Sequence, residues 1–504
     1  VKFDLISKFK LNLRKSNSMQ FKKYSMLILA IIFLSSGQAL FAADQESEIQ
    51  RETAAQANQA ETSRQKPANA FETASSVKII TVKKVIFKGQ VGLDQEQQDM
   101  IEQGLIGKKF SASKLQKIET IFSNFYLENG MPDARVQLSL GKEEGVLIVS
   151  VKGSFPLHAS YEFNNLGSKY THRARHILHL SHDNLLGFGD TFRSSLVMAE
   201  QGAVTGGLFS YVFPHRETGT AFYFDASVFE SQLQREFRSL NINSHSFSLI
   251  PGVRQRIWRN EKAQLDWNLQ FEIKNNKTNA GDSKLFYDRM RVITTGPRFN
   301  YYDKWGKTSA AADVHIGIPN IMGGSHRDDP SASRVGSGGD FVYGTGSISR
   351  LHKLPKEMLL SLEAAGQVSP SALTVLEQMY LGGMYSVRGY SESDSAGDSG
   401  YRLSSELRFP PYFIPKSWEV PGLKGKKWRD AISLFGFIEG GQVFNQKRQL
   451  PSSEKNRALV GTGFGARFYI SPDFNIEFDY GIPIGDPSTD GDRNQIHLSA
   501  RIGF

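Results

Sequence analysis

The chain has 504 residues, no cysteine, 39% hydrophobic and 22% charged residues, a formal net charge of +9 and a mean hydropathy of −0.35. That length predicts roughly two or three structural units, and the missing thiols exclude a disulfide framework, a thiolate metal site and a cysteine nucleophile. The low hydropathy argues against a bundle of spanning helices but not against a transmembrane β-barrel, whose strands alternate lipid-facing and lumen-facing residues and average to a polar composition.

Most of the charge sits at the start. Residues 1–43 hold Lys2, Lys8, Lys10, Arg14, Lys15, Lys22 and Lys23 against the single acid Asp4, which accounts for +6 of the +9 and leaves +3 from Asp44 onward. An excess placed where targeting segments keep it does not describe a nucleic-acid binder. Lys22 and Lys23 precede an apolar run over residues 26–34 (MLILAIIFL), and small residues follow around Ala42 and Ala43. Basic region, short apolar core and cleavage region come in the order of a secretory signal peptide. The run is too short to cross a bilayer as a helix, which disfavours a retained anchor. Neither a cut after Ala42, with Leu40 third back, nor one after Ala43, with Phe41 third back, is singled out, and Met19 is a candidate true start. The mature chain is expected to be exported.

Residues 44–76 are rich in Gln, Ala, Glu, Ser and Thr and bury no core; they read as a polar linker or as one polar helix near 45–64. From 78 to 153 the pattern becomes a compact α+β module. Ile79, Ile80, Val82, Val85, Ile86 and Phe87 predict a strand that stops at Gly89. Helices are expected over 94–105 and 113–129, the second with Leu115, Ile118, Ile121, Phe122 and Phe125 on one face. Ser111 and Ser113 are available as N-caps, and Gly130 with Pro132 ends that helix. Strands over 134–140 and 146–151 complete the order β-α-α-β-β.

Beyond Pro156 the helical periodicity gives way to strict alternation. Leu265, Trp267, Leu269, Phe271 and Ile273 alternate with Asp266, Asn268, Gln270, Glu272 and Lys274, and similar runs occur at 222–228, 474–480 and 496–504. Such alternation fits a soluble sandwich or a membrane barrel. Three features favour the barrel. Charged residues hold the polar parity in mid-strand (Asp266, Glu272, Glu406, Glu477, Arg501), aromatics such as Tyr301, Tyr302 and Trp305 crowd strand ends, and the last strand ends on Phe504. Residues 157–504, at roughly 20 to 22 per tilted strand with its turn, accommodate about 16 antiparallel strands.

Residues 381–411 read LGGMYSVRGYSESDSAGDSGYRLSSELRFPP. Its core, Val387, Arg388, Gly389 and Tyr390, resembles the VRG(F/Y) motif on the inward-folded loop of the BamA/TpsB outer-membrane superfamily. The flanking LGG, GDxGY and ELRF elements are similar to the two-partner secretion branch, the ShlB/FhaC/HecB-like TpsB transporters. Residues 161–190 resemble that family's first barrel strands, with a turn at 164–167 and a closing NLLGFGD at 184–190. Residues 435–443 (FGFIEGGQV) resemble its FxDxG strand through Phe437, Glu439 and Gly441, with Glu439 where the family carries Asp. The β-α-α-β-β module resembles a POTRA domain, one where typical relatives carry two.

The resemblance implies a leader over 1–43, a linker or plug helix over 44–76, a periplasmic POTRA domain over 77–153 and an outer-membrane barrel over 157–504 of a Gram-negative cell. It implies secretion of an unfolded partner exoprotein, TpsA-like and of hemolysin or adhesin type, after capture by the POTRA domain, without catalysis. An assembly factor of the BamA/TamA kind is the alternative, although such factors usually carry more POTRA domains. Arg388 is expected at the loop tip in a bidentate contact with Glu439, Gly389 allows a tight backbone, and Tyr390 supplies an aromatic wedge. Phe504 is implied as the signal read by the barrel assembly machinery; the other partners are outer-membrane lipid and the exoprotein, with no nucleic acid. No GxxxxGK[ST] phosphate loop and no GxSxG elbow occurs, and no cofactor is expected. His172, His176, His179 and His182 hold four of the eleven histidines. His179 has the opposite parity to the other three, so pore-mouth or interfacial positions are expected rather than a metal site.

Overall fold

The computed structural model describes residues 80–504 except 90–98, 100–101, 111–117, 120–134, 142, 144, 153–155, 187, 216–217, 424, 447–456 and 472–473. The expected leader, the 44–76 stretch, the caps Ser111 and Ser113 and the helix end at Gly130 and Pro132 lie outside the described residues, as does most of the two expected helices.

The N-terminal unit contains β1 (Ile80–Thr81), β2 (Lys84–Gly89), β3 (Lys109–Phe110), β4 (Arg135–Leu140) and β5 (Val146–Lys152). The single strand expected from Ile79 to Phe87 is divided. Val82 N–H donates to Lys108 O (3.1 Å) and Lys83 N–H to Gly145 O (2.7 Å), so the chain changes partners there. β1 pairs with β3, whereas β2 runs parallel to β5, with β4 antiparallel on the other side of β5. Val82, Val85, Leu105, Val136, Leu138, Leu147, Val149 and Val151 form its apolar core, with Ile118 packed against it. The result is a small mixed sheet of the POTRA kind.

The barrel begins with β6 (Leu157–Asn164), β7 (Arg175–Asp183), β8 (Thr191–Ala199), β9 (Val204–His215), β10 (Thr220–Gln232) and β11 (Ile242–Arg259). It continues with β12 (Ala263–Ala280), β13 (Ser283–Asp303), β14 (Gly306–Gly317), β15 (Phe341–Lys353) and β16 (Leu359–Val368). After β16, β17 (Met379–Leu381) and β18 (Ser395–Gly397) form a separate two-stranded ribbon. β19 (Ser399–Phe409), β20 (Ile432–Phe444), β21 (Ala458–Ser471), β22 (Phe474–Pro483) and β23 (Gln495–Gly503) complete it, and β23 pairs antiparallel with β6 to close sixteen strands. Past the end of β6, Asn165 extends the seam: its side chain donates to Ile496 O and accepts from Leu498 N–H, both at 2.8 Å.

Burial decides between sandwich and membrane barrel. On β12, Trp267 and Leu269 are 45% and 47% exposed, while Asn268 and Asn276 are 3% and 0% exposed. A soluble sandwich buries its apolar parity; here that parity faces outward on strand after strand, as at Phe222, Val228, Leu403, Ile438, Phe464 and Ile496. Polar side chains satisfy one another on the inner face, as where Ser244 donates to Asn276 (2.7 Å) and accepts from Thr278 (3.0 Å). At the β13–β14 turn, Lys304 lies 5.0 Å from the ring of Trp305 and Lys307 5.5 Å from that of Tyr302, pairing ring and cation at a strand end as in an interfacial girdle. Short turns at 260–262 and 304–305 and the long loops 318–340 and 369–398 lie at opposite ends, which by the usual barrel asymmetry makes the loop end extracellular.

Ile438 stands in the middle of β20 and faces outward. Ile438→Arg is expected to lower barrel stability by about 2–4 kcal/mol, read from the urea midpoint of heat-modifiable mobility in liposomes. An unchanged midpoint would contradict the lipid-facing assignment.

Candidate functional site

Loop 369–398 folds into the lumen because the inner wall there departs from its polar pattern. Leu373 and Leu376 pack on Met290, Val292, Phe341 and Tyr343, which occupy inward positions of β13 and β15. Leu381, Val387 and Tyr390 pack on Val443 and Leu459 of β20 and β21. Two glycines permit the close approach. A Cβ on Gly389 would lie 2.7 Å from the Ile482–Pro483 peptide of β22, and one on Gly441 would lie 3.1 Å from the side chain of Leu381 in the loop. Gly389 is thus needed for lack of a side chain and not for a left-handed φ, since it is not among the positive-φ residues. Tyr390 is buried and its N–H donates to Val387 O (3.0 Å), closing the turn that presents Arg388.

Arg388, 4% exposed, meets three carboxylates from three wall strands. Its Nε and Nη2 both reach Oε1 of Glu439 (2.9 and 2.7 Å), and its backbone N–H donates to Oε2 of the same residue (2.9 Å). Nη1 donates to Glu406 Oε2 (2.8 Å) on β19 and to Asp479 Oδ1 (2.7 Å) on β22. The expected two-oxygen fork onto Glu439 therefore takes another form: the guanidinium converges on one oxygen because the second is occupied by the loop backbone. The guanidinium carbon sits 3.5 Å from the ring centroid of Phe437, which covers the ion pair from one side. His497 Nε2 lies 3.0 Å from Arg388 O and fixes the carbonyl side of the tip.

The wall carboxylates carry further cations. Arg467 contacts Glu406 (2.6 Å) and Glu477 (2.5 Å), and Arg408 contacts Glu406 (2.6 Å). Three arginines thus stand against Glu406, Glu439, Glu477 and Asp479 in one network, open to the lumen at Glu477 and buried at its centre, where charge-assisted bonds offset the cost of desolvation. Glu406 and Glu477 carry the lumen-parity signal in the sequence, and Asp479 shares it two residues on. Glu406 and Asp479 reach Arg388, whereas Glu477 pairs with Arg467; register sets this, since Glu406 faces Phe437 across β19–β20 and Arg467 faces Glu477 across β21–β22. A cavity of about 100 Å³ adjoins the network, lined among others by Glu162, Glu363, Arg402 and Tyr469.

The remaining expected positions lie apart. Phe504 is exposed beyond β23, its N–H donating to Ala159 O (2.9 Å). His172 is not on a strand: it ends a short 3-10 turn with φ 58°, and β7 starts only at Arg175. His176 faces outward and bonds Tyr161 (2.6 Å), whereas His179 faces the lumen and meets Ser195 (2.9 Å) and Glu162 (3.3 Å). The histidines therefore stand on different faces; among the described residues no cluster of three or more His, Cys, Asp or Glu is placed to hold a metal.

Glu439→Gln keeps the shape and removes the charge that takes both the guanidinium and the backbone amide of Arg388. Loss of these charge-assisted bonds is expected to cost about 1.5–3 kcal/mol, measured as a lowered urea midpoint relative to wild type. Glu439→Asp, which keeps the charge, should fall between the two.

Residues 143–468 match the family model described as haemolysin secretion/activation protein ShlB/FhaC/HecB. The chain is 23% identical over 438 residues to the heme/hemopexin transporter protein HuxB of Haemophilus influenzae strain 86-028NP, covering 83% of this chain and 74% of that one. It is 23% identical over 335 residues to the outer membrane transporter CdiB of Dickeya dadantii, covering 64% and 56% of the two chains. Its fold is similar to the solved structure of CdiB from Escherichia coli, with a TM-score of 0.61 at 16% identity over 93% of this chain and 99% of that one. With a closed sixteen-strand barrel, a mixed sheet ahead of it and a lumenal loop on its wall, the chain belongs to the ShlB/FhaC/HecB family, the outer-membrane transporters of two-partner secretion in Gram-negative bacteria.

Proposed function

We propose that this transporter moves an unfolded exoprotein, of hemolysin or adhesin type, through the barrel lumen, and that loop 369–398 is the pore element whose closed position Arg388 secures. The observation that carries this reading is the convergence of Glu439, Glu406 and Asp479 on the one guanidinium. A loop of this size inside the lumen leaves little room for a polypeptide, so passage requires the tip to leave its carboxylates. Of those carboxylates only Glu406 keeps a cation in contact without it, because Arg467 and Arg408 stay on the wall. Release of the tip therefore leaves buried Glu439 and Asp479 without a cation in contact among the described residues, a cost that favours the bound position. Outer-membrane lipid covers the outward apolar face, and Phe504, exposed at the end of the closing strand, is available to the barrel assembly machinery during biogenesis.

Capture of the exoprotein falls to the N-terminal unit. β4 forms one edge of the three-stranded sheet, so its outer backbone groups can accept an extended segment by β-augmentation. Backbone bonding of this kind tolerates many sequences, which suits an unfolded cargo.

Arg388→Ala is expected to leave a membrane-inserted barrel at normal abundance while export of the partner exoprotein, read in the culture supernatant, falls severalfold or more. Normal export by that variant would defeat the assignment of Arg388. Deletion of residues 78–152 should abolish co-purification of the cargo with the transporter; a pull-down that persists would remove the N-terminal unit from the capture step.

A further inference from the structure

The tip is not the only place where loop 369–398 is ionically held. At its neck, β17 and β18 pair through Met379 with Gly397, Tyr380 with Ala396 and Leu381 with Ser395. Glu377 and Asp398 flank the foot of this ribbon, one on each limb. Lys274 on β12 places Nζ 2.8 Å from Glu377 Oε1 and 2.7 Å from Glu272 Oε2, and all three side chains are at most 7% exposed. Tyr343 on β15 donates to Glu377 Oε2 (2.8 Å), and Thr294 on β13 donates to Glu272 Oε1 (2.5 Å). Gln367 on β16 donates through Nε2 to Glu377 O (2.8 Å) and to Asp398 O (3.0 Å), tying the two limbs together. Asp398 in turn pairs with Arg334, from the loop between β14 and β15.

The neck is therefore held ionically from β12, with β15, β16 and the end of β20 also against it, whereas the carboxylates of the tip stand on β19, β20 and β22; Lys274 on β12 and Asp479 on β22 lie on opposite sides of the sixteen-strand ring. The loop crosses the lumen as a bar held at both ends. We propose that the Lys274–Glu377 pair is a second loop-to-wall clamp, a positioning element that fixes the neck and thereby aims Arg388 at its carboxylates. A tethered tip meets its partners at an effective concentration set by the stiffness of the tether, so a loosened neck lowers occupancy of the Arg388 site with no change at that site. Lys274 is suited to this role because it is buried and shared between a wall carboxylate and a loop carboxylate: removing its charge leaves two desolvated anions facing each other, which drives Glu377 away from the wall. The inference rests on the reading of loop 369–398 as the pore element.

The chain has no cysteine, so Ser386→Cys supplies a sole thiol two residues before Arg388, at a hydroxyl with no hydrogen-bond partner among the described residues. Its reaction with a membrane-impermeant maleimide added to whole cells reports how often the tip is released. With Lys274→Met added, labelling is expected to accelerate at least about tenfold, equivalent to about 1.4 kcal/mol lost from the closed position. Lys274→Arg, which retains a cation, is expected to keep labelling slow. A Lys274→Met barrel of full heat-modifiable mobility that labels at the parent rate overturns the clamp. If that variant does not assemble, Glu377→Gln, a change confined to the loop, gives the same reading with the same criterion. Fast labelling in Lys274→Met alongside normal export by Arg388→Ala would keep the clamp and discard the Arg388 reading. Parent-rate labelling alongside impaired export would do the reverse.

Discussion

Hydrocarbon offers no hydrogen-bond partner, so every backbone N–H and C=O that enters the bilayer must be paired within the protein. For strands this leaves one solution, a sheet with no free edge. The seam between β6 and β23 is therefore the closure on which the other strands depend, and the side chain of Asn165 prolongs it past the end of β6. Closure also reverses the usual meaning of burial. Apolar side chains face outward and remain exposed, and serines, asparagines and acids that would solvate a soluble protein turn inward, where they bond one another.

An enclosed polar lumen makes charge expensive unless it is paired. Four carboxylates and two arginines on β19 to β22 form a wall with acid in excess, and the loop tip brings a third cation to it as Arg388. At the neck the signs are exchanged, with the wall offering Lys274 and the loop offering Glu377. Opposite polarity at the two ends gives the loop one favoured way round: a tip presented to the Lys274 side would bring Arg388 toward a cation. Apolar contacts through Leu373, Leu376, Val387 and Tyr390 add holding energy but little direction, since hydrophobic burial is not directional.

Much of this architecture is legible in one dimension. Alternation with a period of two marks the strands, and the inward or outward sense of each residue follows from parity once one lipid-facing position is known. Parity singles out Glu406, Glu477 and Glu439 as lumenal, and it could have flagged Met290, Val292, Phe435 and Phe437 as apolar residues on an otherwise polar face, a mark of something packed against them. The strand expected from Ile79 to Phe87 was less legible, because the partner switch at Val82 and Lys83 is made by backbone bonds to Lys108 and Gly145 and leaves no trace in side-chain pattern. His172 read as a strand residue for a similar reason: a single φ of 58° takes it out of line, and histidine does not announce such a turn as glycine would.

By itself the amino-acid sequence determined an exported chain, an α+β module ahead of an alternating barrel of about sixteen strands, and a VRGY loop with an acidic strand to receive it. These are local or periodic properties, written residue by residue. Only the tertiary structure decided that Arg388 is shared among Glu439, Glu406 and Asp479, that Glu439 takes the backbone amide as well as the guanidinium, and that Lys274 meets Glu377 from the far wall. Those contacts join residues from separate strands and a loop, and which of them meet depends on register, strand order and the path of the loop across the lumen, quantities that exist only once the sheet has closed.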